Sequence, residues 1–457
     1  MSATALLESR PGAPPVAGSW PEETRHLVRL AGPVAISQVG QLTMGLVDTW
    51  MVGGISTAAL GAVSLGDSLF FTFAVVALGT VQAVEPQVSQ AHGAGDPGRA
   101  RAAWEAGRRL ALWLALPLLL LALLAPALLA LAGLGPEVER LSGLYLQARA
   151  PGILFGLLFA ADRAFLHGLG HTRPAMLAML LANLVNAALD WALIYGRLGV
   201  PPLGVAGAGW ATTGCMVLNW FVVRGFARRL APPAAAAPGR GAGLIRRTLR
   251  LGIPLGLGHG TEVGAFAVAT LFMGWLGTVP LAAHQVAIKM ASTSFMLALA
   301  VGTATAIRVG HAIGARRPHD AARAGRVGLA LGFLVMGTSG LLYVLFGREI
   351  VASFTDDAAV IELGAALMVV AAAFQLSDGS QAILAGALRG AGDTAWPFWA
   401  NLVAYYLVAL PLAWALVFRG GEGPVAVWWA LALGLTGAAL IMGVRFSRVV
   451  HRAVPLS

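Results

Sequence analysis

The chain has few charged residues and almost no cysteine or lysine. Its 457 residues include one cysteine, Cys215, and one lysine, Lys289, and only 11% of them are charged, whereas 58% are hydrophobic. A single cysteine excludes an intrachain disulfide and a cysteine-cluster metal site. Soluble globular domains carry about 25% charged residues. We therefore expect a polytopic membrane protein.

Several motifs that carry chemistry are also missing. There is no Walker sequence, so ATP does not drive this protein directly. The histidines lack metal-ligand spacing, and neither an Asp-rich motif nor a His/Ser nucleophile set is present. We therefore expect no enzyme activity, no cofactor and no firm metal site. Residues 1–24 are rich in Pro, Gly and Ala and have no apolar h-region, so they are interpreted as a disordered tail and not as a signal peptide.

Long apolar runs are what the sequence has instead. They are continuous and do not alternate, which excludes a strand barrel. Runs of about 20 apolar residues are long enough to span a bilayer. They predict twelve transmembrane helices, at 27–52, 58–84, 110–134, 141–162, 174–196, 205–227, 248–276, 280–307, 325–347, 358–386, 397–418 and 424–444.

Arginine and lysine fall mostly on one side of this topology. The N-terminus and the joints after the even-numbered helices, counted with the span ends that adjoin them, hold 25 of them, and the opposite joints hold four. Because cytoplasmic loops retain positive charge, we predict a multi-pass protein of the inner (plasma) membrane with both termini in the cytoplasm. This bias and anionic headgroups account for the net charge of +10, so no nucleic-acid partner is expected.

The chain repeats itself with an offset of 221 residues. This offset superimposes Leu30–Pro33 on Leu251–Pro254, and Gln90–Pro97 on His311–Pro318. The predicted organisation is a cytoplasmic tail (1–24), an N-lobe of six helices (25–227), a linker (228–247), a C-lobe of six helices (248–447) and a second tail (448–457). Two halves of equal topology imply a pseudo-twofold axis along the membrane normal and a cavity between the lobes, as in alternating-access transporters.

Buried acids indicate where such a protein works. Glu262 lies about halfway along a predicted span, where a charged acid costs roughly 2.5 kcal/mol or more, and its default interpretation is functional. The repeat does not copy these acids, since Glu262 aligns with Gln41 and Asp48 with Ala269. This asymmetry suggests that each lobe has its own chemistry, although divergence by drift is the alternative.

Five motifs occur in order along the twelve-helix chain: VDTWMVG at 47–53, QAHGAGD at 90–96, AHQV at 283–286, FQLSDGSQ at 374–381 and LRGAGDT at 388–394. With them the chain resembles the MATE (multidrug and toxic compound extrusion) transporters over about residues 25–450. The resemblance implies an all-α 6+6 fold of the MATE/MOP type. It also implies export of cationic, lipophilic compounds in exchange for inward-moving Na⁺ or H⁺.

The resemblance also implies two coupling sites. Glu262 and Asp378 match the C-lobe acids of the NorM branch, and with Gln285 they can supply some of the oxygens that Na⁺ requires. That branch often has a tyrosine where this chain has Phe374, so a phenol ligand is absent there. Asp48, Asn186 and Asp190 match the N-lobe acids of the DinF-like branch.

The sequence favours H⁺ over Na⁺ without deciding between them. Phe374 removes one oxygen, and Lys289 either pairs with a C-lobe acid or extends along the cavity. Asp48 and Asp190 form a pair that can share a proton. Pro33 and Pro254 break helical hydrogen bonds early in each lobe, so they are either hinges or static kinks.

Alternatives remain open. A lipid-linked oligosaccharide flippase of the same superfamily is the second candidate, although its cavity would be strongly basic, whereas the charges here are mostly acidic. A membrane-embedded enzyme and a passive channel fit less well. We expect a monomer whose partners are small cationic substrates and membrane lipids.

Overall fold

The computed structural model of the protein describes residues 19–130, 133, 135–233 and 241–452. This part of the chain is helical, and no strand is found in it. The α-helices are α1 (Trp20–Gly53), α2 (Thr57–Gln82), α3 (Val84–Gly93), α4 (Pro97–Leu123), α5 (Ala125–Leu129), α6 (Pro136–Gly168), α7 (Arg173–Tyr195), α8 (Val205–Leu230), α9 (Gly241–Leu276), α10 (Thr278–Gly314), α11 (Pro318–Ala352), α12 (Ala358–Gly390), α13 (Ala395–Leu402), α14 (Leu410–Trp414) and α15 (Val425–Arg452). Two π-helical segments, Val403–Ala409 and Ala415–Arg419, continue α13 and α14.

These helices make the twelve passes that the apolar runs predict. Ten of them, within the described residues, are long and apolar enough to cross a membrane. The other two are α8, with 26 residues, and α9, with 36 residues. At 1.5 Å per residue both exceed the roughly 30 Å of a hydrocarbon core. The α2–α3 pair forms one pass, and so does the run from α13 to the second π-helical segment.

Several helices extend past the predicted boundaries. Helix α1 begins at Trp20, after a capping box between Ser19 and Glu22, so residues 20–24 of the predicted tail are helical. The predicted linker is shortened by the end of α8 at Leu230 and the start of α9 at Gly241. Residues 1–18, 234–240 and 453–457 of the predicted tails and linker lie outside the described residues.

Each half has the same central helix. In the N-lobe, α6 packs against α2, α4 and α8, and in the C-lobe its counterpart α12 packs against α10, α11 and α15. Each core buries large aromatic side chains at its own positions: Trp428, Tyr405 and Phe374 in the C-lobe, and Tyr145, Phe165 and Trp104 in the N-lobe. Burial of such aromatic side chains dominates the energetics of a core. The two bundles are therefore built alike and filled differently.

Glycines bring the two lobes into backbone contact. A Cβ on Gly93 would lie 2.1 Å from the carbonyl oxygen of His311, and a Cβ on Gly314 would lie 2.1 Å from that of Gln90. Gly93 and Gly314 are 221 residues apart, and so are Gln90 and His311, so each contact is the symmetric image of the other. This is the pattern that a pseudo-twofold axis requires. Gly252 and Gly256 bring α9 equally close to α2.

Polar contacts reinforce this seam between the lobes. Arg308 donates from Nε and Nη2 to the two carboxylate oxygens of Glu23, at 2.8 and 2.7 Å. Gln90 Nε2 donates to the Gly390 carbonyl at 3.0 Å, and Gln87 Nε2 donates to Thr248 Oγ1 at 2.9 Å. All these contacts lie at the arginine-rich end of the helices. The lobes are therefore joined at that end.

Candidate functional site

The two C-lobe acids come together as the sequence predicts. Glu262 lies midway along α9 and is half-buried, and Asp378 lies on α12 and is 3% exposed. They are close enough for their charges to interact. Oδ1 of Asp378 has no hydrogen-bond partner among the described residues. Since an unpaired buried carboxylate is costly, this pair is suited to binding a proton or a cation.

A tyrosine that the sequence did not single out lies near this pair. Tyr405 is fully buried, and its phenol lies near both acids. Its hydroxyl has no hydrogen-bond partner in the described chain. It is presented by the π-helical segment Val403–Ala409, and such π-bulges occur frequently at functional sites. Phe374 packs edge-on against Phe266 and Trp428, so the phenol near these acids belongs to another helix.

The signal for Tyr405 was weak but present. The chain has only five tyrosines, and two of them are adjacent in the predicted span 397–418. An irregular helix in that span could not be read from its apolar pattern.

A cavity adjoins Glu262, between α9, α10, α12 and α13. Its polar lining includes Glu262, His259, Gln381, Arg389 and Asn401. Gln381 Nε2 donates to Asn401 Oδ1 at 3.0 Å. Charged side chains and amides therefore line one pocket, and Glu262 is the member of this set that the sequence predicted as a coupling residue.

Gln285 and Lys289 do not join the C-lobe acids. Both are exposed side chains of α10, and neither lines the cavity at Glu262. No ion pair of Lys289 is found in the described chain, so pairing with Glu262 or Asp378, one of the two alternatives for Lys289, is not what the structure shows. The sequence alone places a residue along a helix, whereas neighbouring helices decide the direction in which its face points.

These two residues instead belong to a pair of polar stripes. The exposed residues Ser64, Ser68 and Thr72 follow one face of α2. Gln285, Lys289 and Thr293 occupy the matching positions on α10, each 221 residues later and also exposed. Four-residue spacing keeps each set on one helix face. Both helices belong to membrane passes, where exposed polar side chains are suited to a water-filled cleft.

The N-lobe acids also come together. Asp48 on α1 is 6% exposed, and Asn186 and Asp190 on α7 are fully buried. The charges of Asp48 and Asp190 interact, and Asn186 adjoins both. Thr212 Oγ1 donates to Asp48 Oδ2 at 3.1 Å, whereas both oxygens of Asp190 have no hydrogen-bond partner in the described chain. Two adjacent carboxylates with so few donors are suited to sharing one proton.

The two prolines lie inside continuous helices. Pro33 is within α1 and Pro254 is within α9. The carbonyl of Pro33 accepts a hydrogen bond from Ser37 Oγ at 2.9 Å, and Pro254 lines the cavity beside Glu262. Their role as hinges remains a prediction.

Three further acids in the spans are paired. Asp67 accepts from Arg149, Asp162 lies beside Arg108 and Arg224, and Glu85 lies beside His167 and Arg389.

Comparison with known proteins identifies the family. The family model described as MatE matches residues 33–192 and 254–415. The chain belongs to the MatE family. The two matched segments begin 221 residues apart, which is the offset of the internal repeat. Members of this family are transporters, so this MatE protein is a multi-pass membrane transporter and not an enzyme.

Relatives and solved structures cover nearly the whole chain. The multidrug resistance protein PmpM of Pseudomonas aeruginosa is 36% identical over 94% of this chain and 93% of its own length. The multidrug resistance protein NorM of Burkholderia vietnamiensis is 36% identical over 96% and 97%. A MATE transporter in a straight conformation has a TM-score of 0.85 at 21% identity, covering 94% of this chain and 97% of that one. That likeness shows the fold alone.

Proposed function

We propose that this MatE transporter exports cationic, lipophilic compounds by antiport against an inward-moving ion, with H⁺ favoured over Na⁺. The observation that carries the proposal is the presence of one buried acid cluster in each lobe, at Glu262 and Asp378 and at Asp48 and Asp190. A carboxylate in a low-dielectric setting can exchange a proton, a metal ion or an organic cation. Competition for such a group couples two fluxes. The names of the multidrug resistance relatives support the substrate class.

The geometry revises the sequence argument about the ion. Tyr405 supplies a phenol oxygen near Glu262 and Asp378, and Lys289 faces elsewhere, so neither of the two reasons against Na⁺ in the C-lobe stands. What supports H⁺ is the N-lobe, where Asp48 and Asp190 share one space with a single hydroxyl donor. A shared proton relieves the repulsion between them. Na⁺ would require about five or six oxygens there.

We also propose that the arginine-rich end faces the cytoplasm in the inner membrane, with both termini there. The charge bias of the sequence supports this orientation. In this orientation, the seam at Glu23 and Arg308 closes the cytoplasmic side, and the polar stripes of α2 and α10 line a cleft that opens toward the outside. One solved structure with TM-score 0.85 is described as outward-facing, which fits this arrangement.

The test is transport by the purified protein in proteoliposomes with one gradient imposed at a time. We expect a fluorescent organic cation to be driven by a proton gradient at equal Na⁺ concentration. Transport driven by a Na⁺ gradient at equal pH, and insensitive to a proton gradient, would return the coupling to Glu262 and Asp378. If neither gradient moves any organic cation, the proposed function is rejected.

A further inference from the structure

A charged cluster on the outer face of the N-lobe takes no part in the site described above. Asp162 of α6 is 0% exposed, and Trp104 Nε1 donates to its Oδ1 at 2.7 Å. The same oxygen lies 3.5 Å from Nε of Arg108 and 3.8 Å from Nη1 of Arg224. Two guanidinium groups therefore flank one carboxylate.

The cluster has an excess of positive charge and unused donors. Nε of Arg108 and Nη1 of Arg224 face Asp162 at distances too long for a good hydrogen bond, and Nε of Arg224 and Nε1 of Trp220 are also buried without a hydrogen-bond partner among the described residues. Arg108 and Arg228 both oppose the charge of Arg224. The side chains of Arg108 and Arg224 are also partly exposed, at 27% and 12%, so an anion bound beside them would balance the second guanidinium. Arginine is the residue best suited to this, because its planar fork matches phosphate oxygens.

The backbone leaves access to this cluster from the bilayer. Helices α4 and α8 both pack against α6, but their backbones make little direct contact with each other. Asp162 is fully buried on α6, and the groove between α4 and α8 above it is bordered by the partly exposed side chains of Arg108 and Arg224. The guanidinium of Arg224 lies 4.8 Å from the ring centroid of Trp104, and that of Arg108 lies 5.8 Å from it, which holds both side chains over the groove.

The groove changes character along its length. Asp162 lies six residues before the end of α6, or about 9 Å along the helix axis, near the level of headgroups. Further toward the membrane centre, Phe221 is 60% exposed and packs against Trp220, whose ring centroid lies 4.7 Å away. Phe155 packs on the same indole at 5.4 Å. A phosphate at the arginines thus places an acyl chain against aromatic rings.

We propose that this groove binds the phosphate of an anionic phospholipid, with Arg108 and Arg224 as the phosphate ligands and Trp220 and Phe221 against its acyl chain. Basic pockets between transmembrane helices on the cytoplasmic side bind anionic headgroups in this way. The leaflet follows from the orientation proposed above, whereas the binding itself does not depend on transport or on the coupling ion.

The test is native mass spectrometry of the purified full-length protein, titrated with phosphatidylglycerol or with phosphatidylcholine of the same acyl chains. We expect preferential retention of phosphatidylglycerol. The double variant Arg108→Gln/Arg224→Gln should weaken it by about tenfold or more, as expected for two arginines near an anionic lipid. The matched control Arg348→Gln/Arg419→Gln removes two exposed arginines at the opposite end of the C-lobe helices and should bind like the wild type.

Three outcomes would overturn the proposal: equal retention of the two lipids, unchanged phosphatidylglycerol binding by the Gln double variant, or displacement of the lipid by millimolar inorganic phosphate, which would indicate a free-anion site. If the Gln variant does not fold, Arg108→Lys/Arg224→Lys keeps the charge and loses the planar forks. It should retain preference for the anionic lipid at reduced affinity, and full loss of that preference would also contradict the assignment. Transport of an organic cation by the control confirms that the preparation is native.

Discussion

Arg389 of α12 connects the seam with the cavity. Its Nε lies 3.7 Å from Oε1 of Glu85 in the other lobe, and its side chain lines the C-lobe cavity that contains Glu262. One cation thus faces both a carboxylate that joins the lobes and a cavity where charge is expected to change during transport. The relationship gives the seam a direct physical connection to the coupling site.

Glu85→Gln should loosen the seam. Removing one partner of a buried ion pair costs about 3–5 kcal/mol, so the open population should rise by about tenfold or more. Cys215 is the chain's only cysteine and is buried, so Cys215→Ser provides a background for a reporter at Ala304→Cys, which lies in the apolar cluster between the lobes. Maleimide labelling of that reporter should accelerate. Glu349→Gln, an exposed acid of α11, is the control, and equal labelling in both variants would contradict a structural role for Glu85.

Glu262→Gln and Asp378→Asn should each abolish or strongly reduce export while the protein stays folded in the membrane. The amides keep the shape of the side chains but can neither bind a proton nor carry charge. The measurement is efflux of an organic cation from cells, normalised to protein in the membrane fraction. Wild-type efflux in both variants would exclude C-lobe coupling.

Tyr405→Phe tests the phenol near the C-lobe acids. The ring still fills its buried position, so we expect normal folding and a reduced transport rate, by several-fold, with a shift in the ion concentration that gives half-maximal transport. Tyr406→Phe is a matched control, because that hydroxyl donates to the Thr261 carbonyl at 3.2 Å and belongs to a half-buried neighbour. An identical response of the two variants would remove Tyr405 from the site.

Asp48→Asn should cost more transport than Asp190→Asn. Asp48 lies on α1, which contains Pro33, so its charge state can act on the helix that is expected to bend. The measurement is proton-driven uptake into proteoliposomes for each variant at equal reconstitution. A larger loss with Asp190→Asn, or full activity with Asp48→Asn, would contradict the role given to α1.

Much of this structure could be predicted from the sequence. The twelve passes, the 221-residue repeat and the proximity within Glu262–Asp378 and Asp48–Asn186–Asp190 were all expected, because apolar run length and repeat offset fix which residues share a depth. Gln285 shows the limit of that reasoning. Depth is encoded by position, but the direction of a side chain depends on how each helix is rotated against its neighbours.

Tyr405 and Arg389 could not be predicted for two different reasons. Tyr405 lies in a helix that is π-helical from Val403 to Ala409, and an apolar pattern does not reveal a change in helical register. Arg389 was counted as one more cytoplasmic arginine. Its contact with Glu85 spans the two lobes, and contacts between residues some 300 positions apart leave no trace in local sequence.

The paired glycine contacts at Gly93 and Gly314 bear on how the two halves of the chain have diverged. At the seam, the backbone of each half limits which residues the other half can have. A methyl group at either position would lie 2.1 Å from a carbonyl oxygen of the opposite half. Neither glycine can change alone without a shift of the other half's backbone. Asp48 lies inside the N-lobe, away from these contacts, and the repeat aligns it with an alanine, Ala269. An ancestral duplication would thus leave likeness where the halves touch and difference where each encloses its own acids.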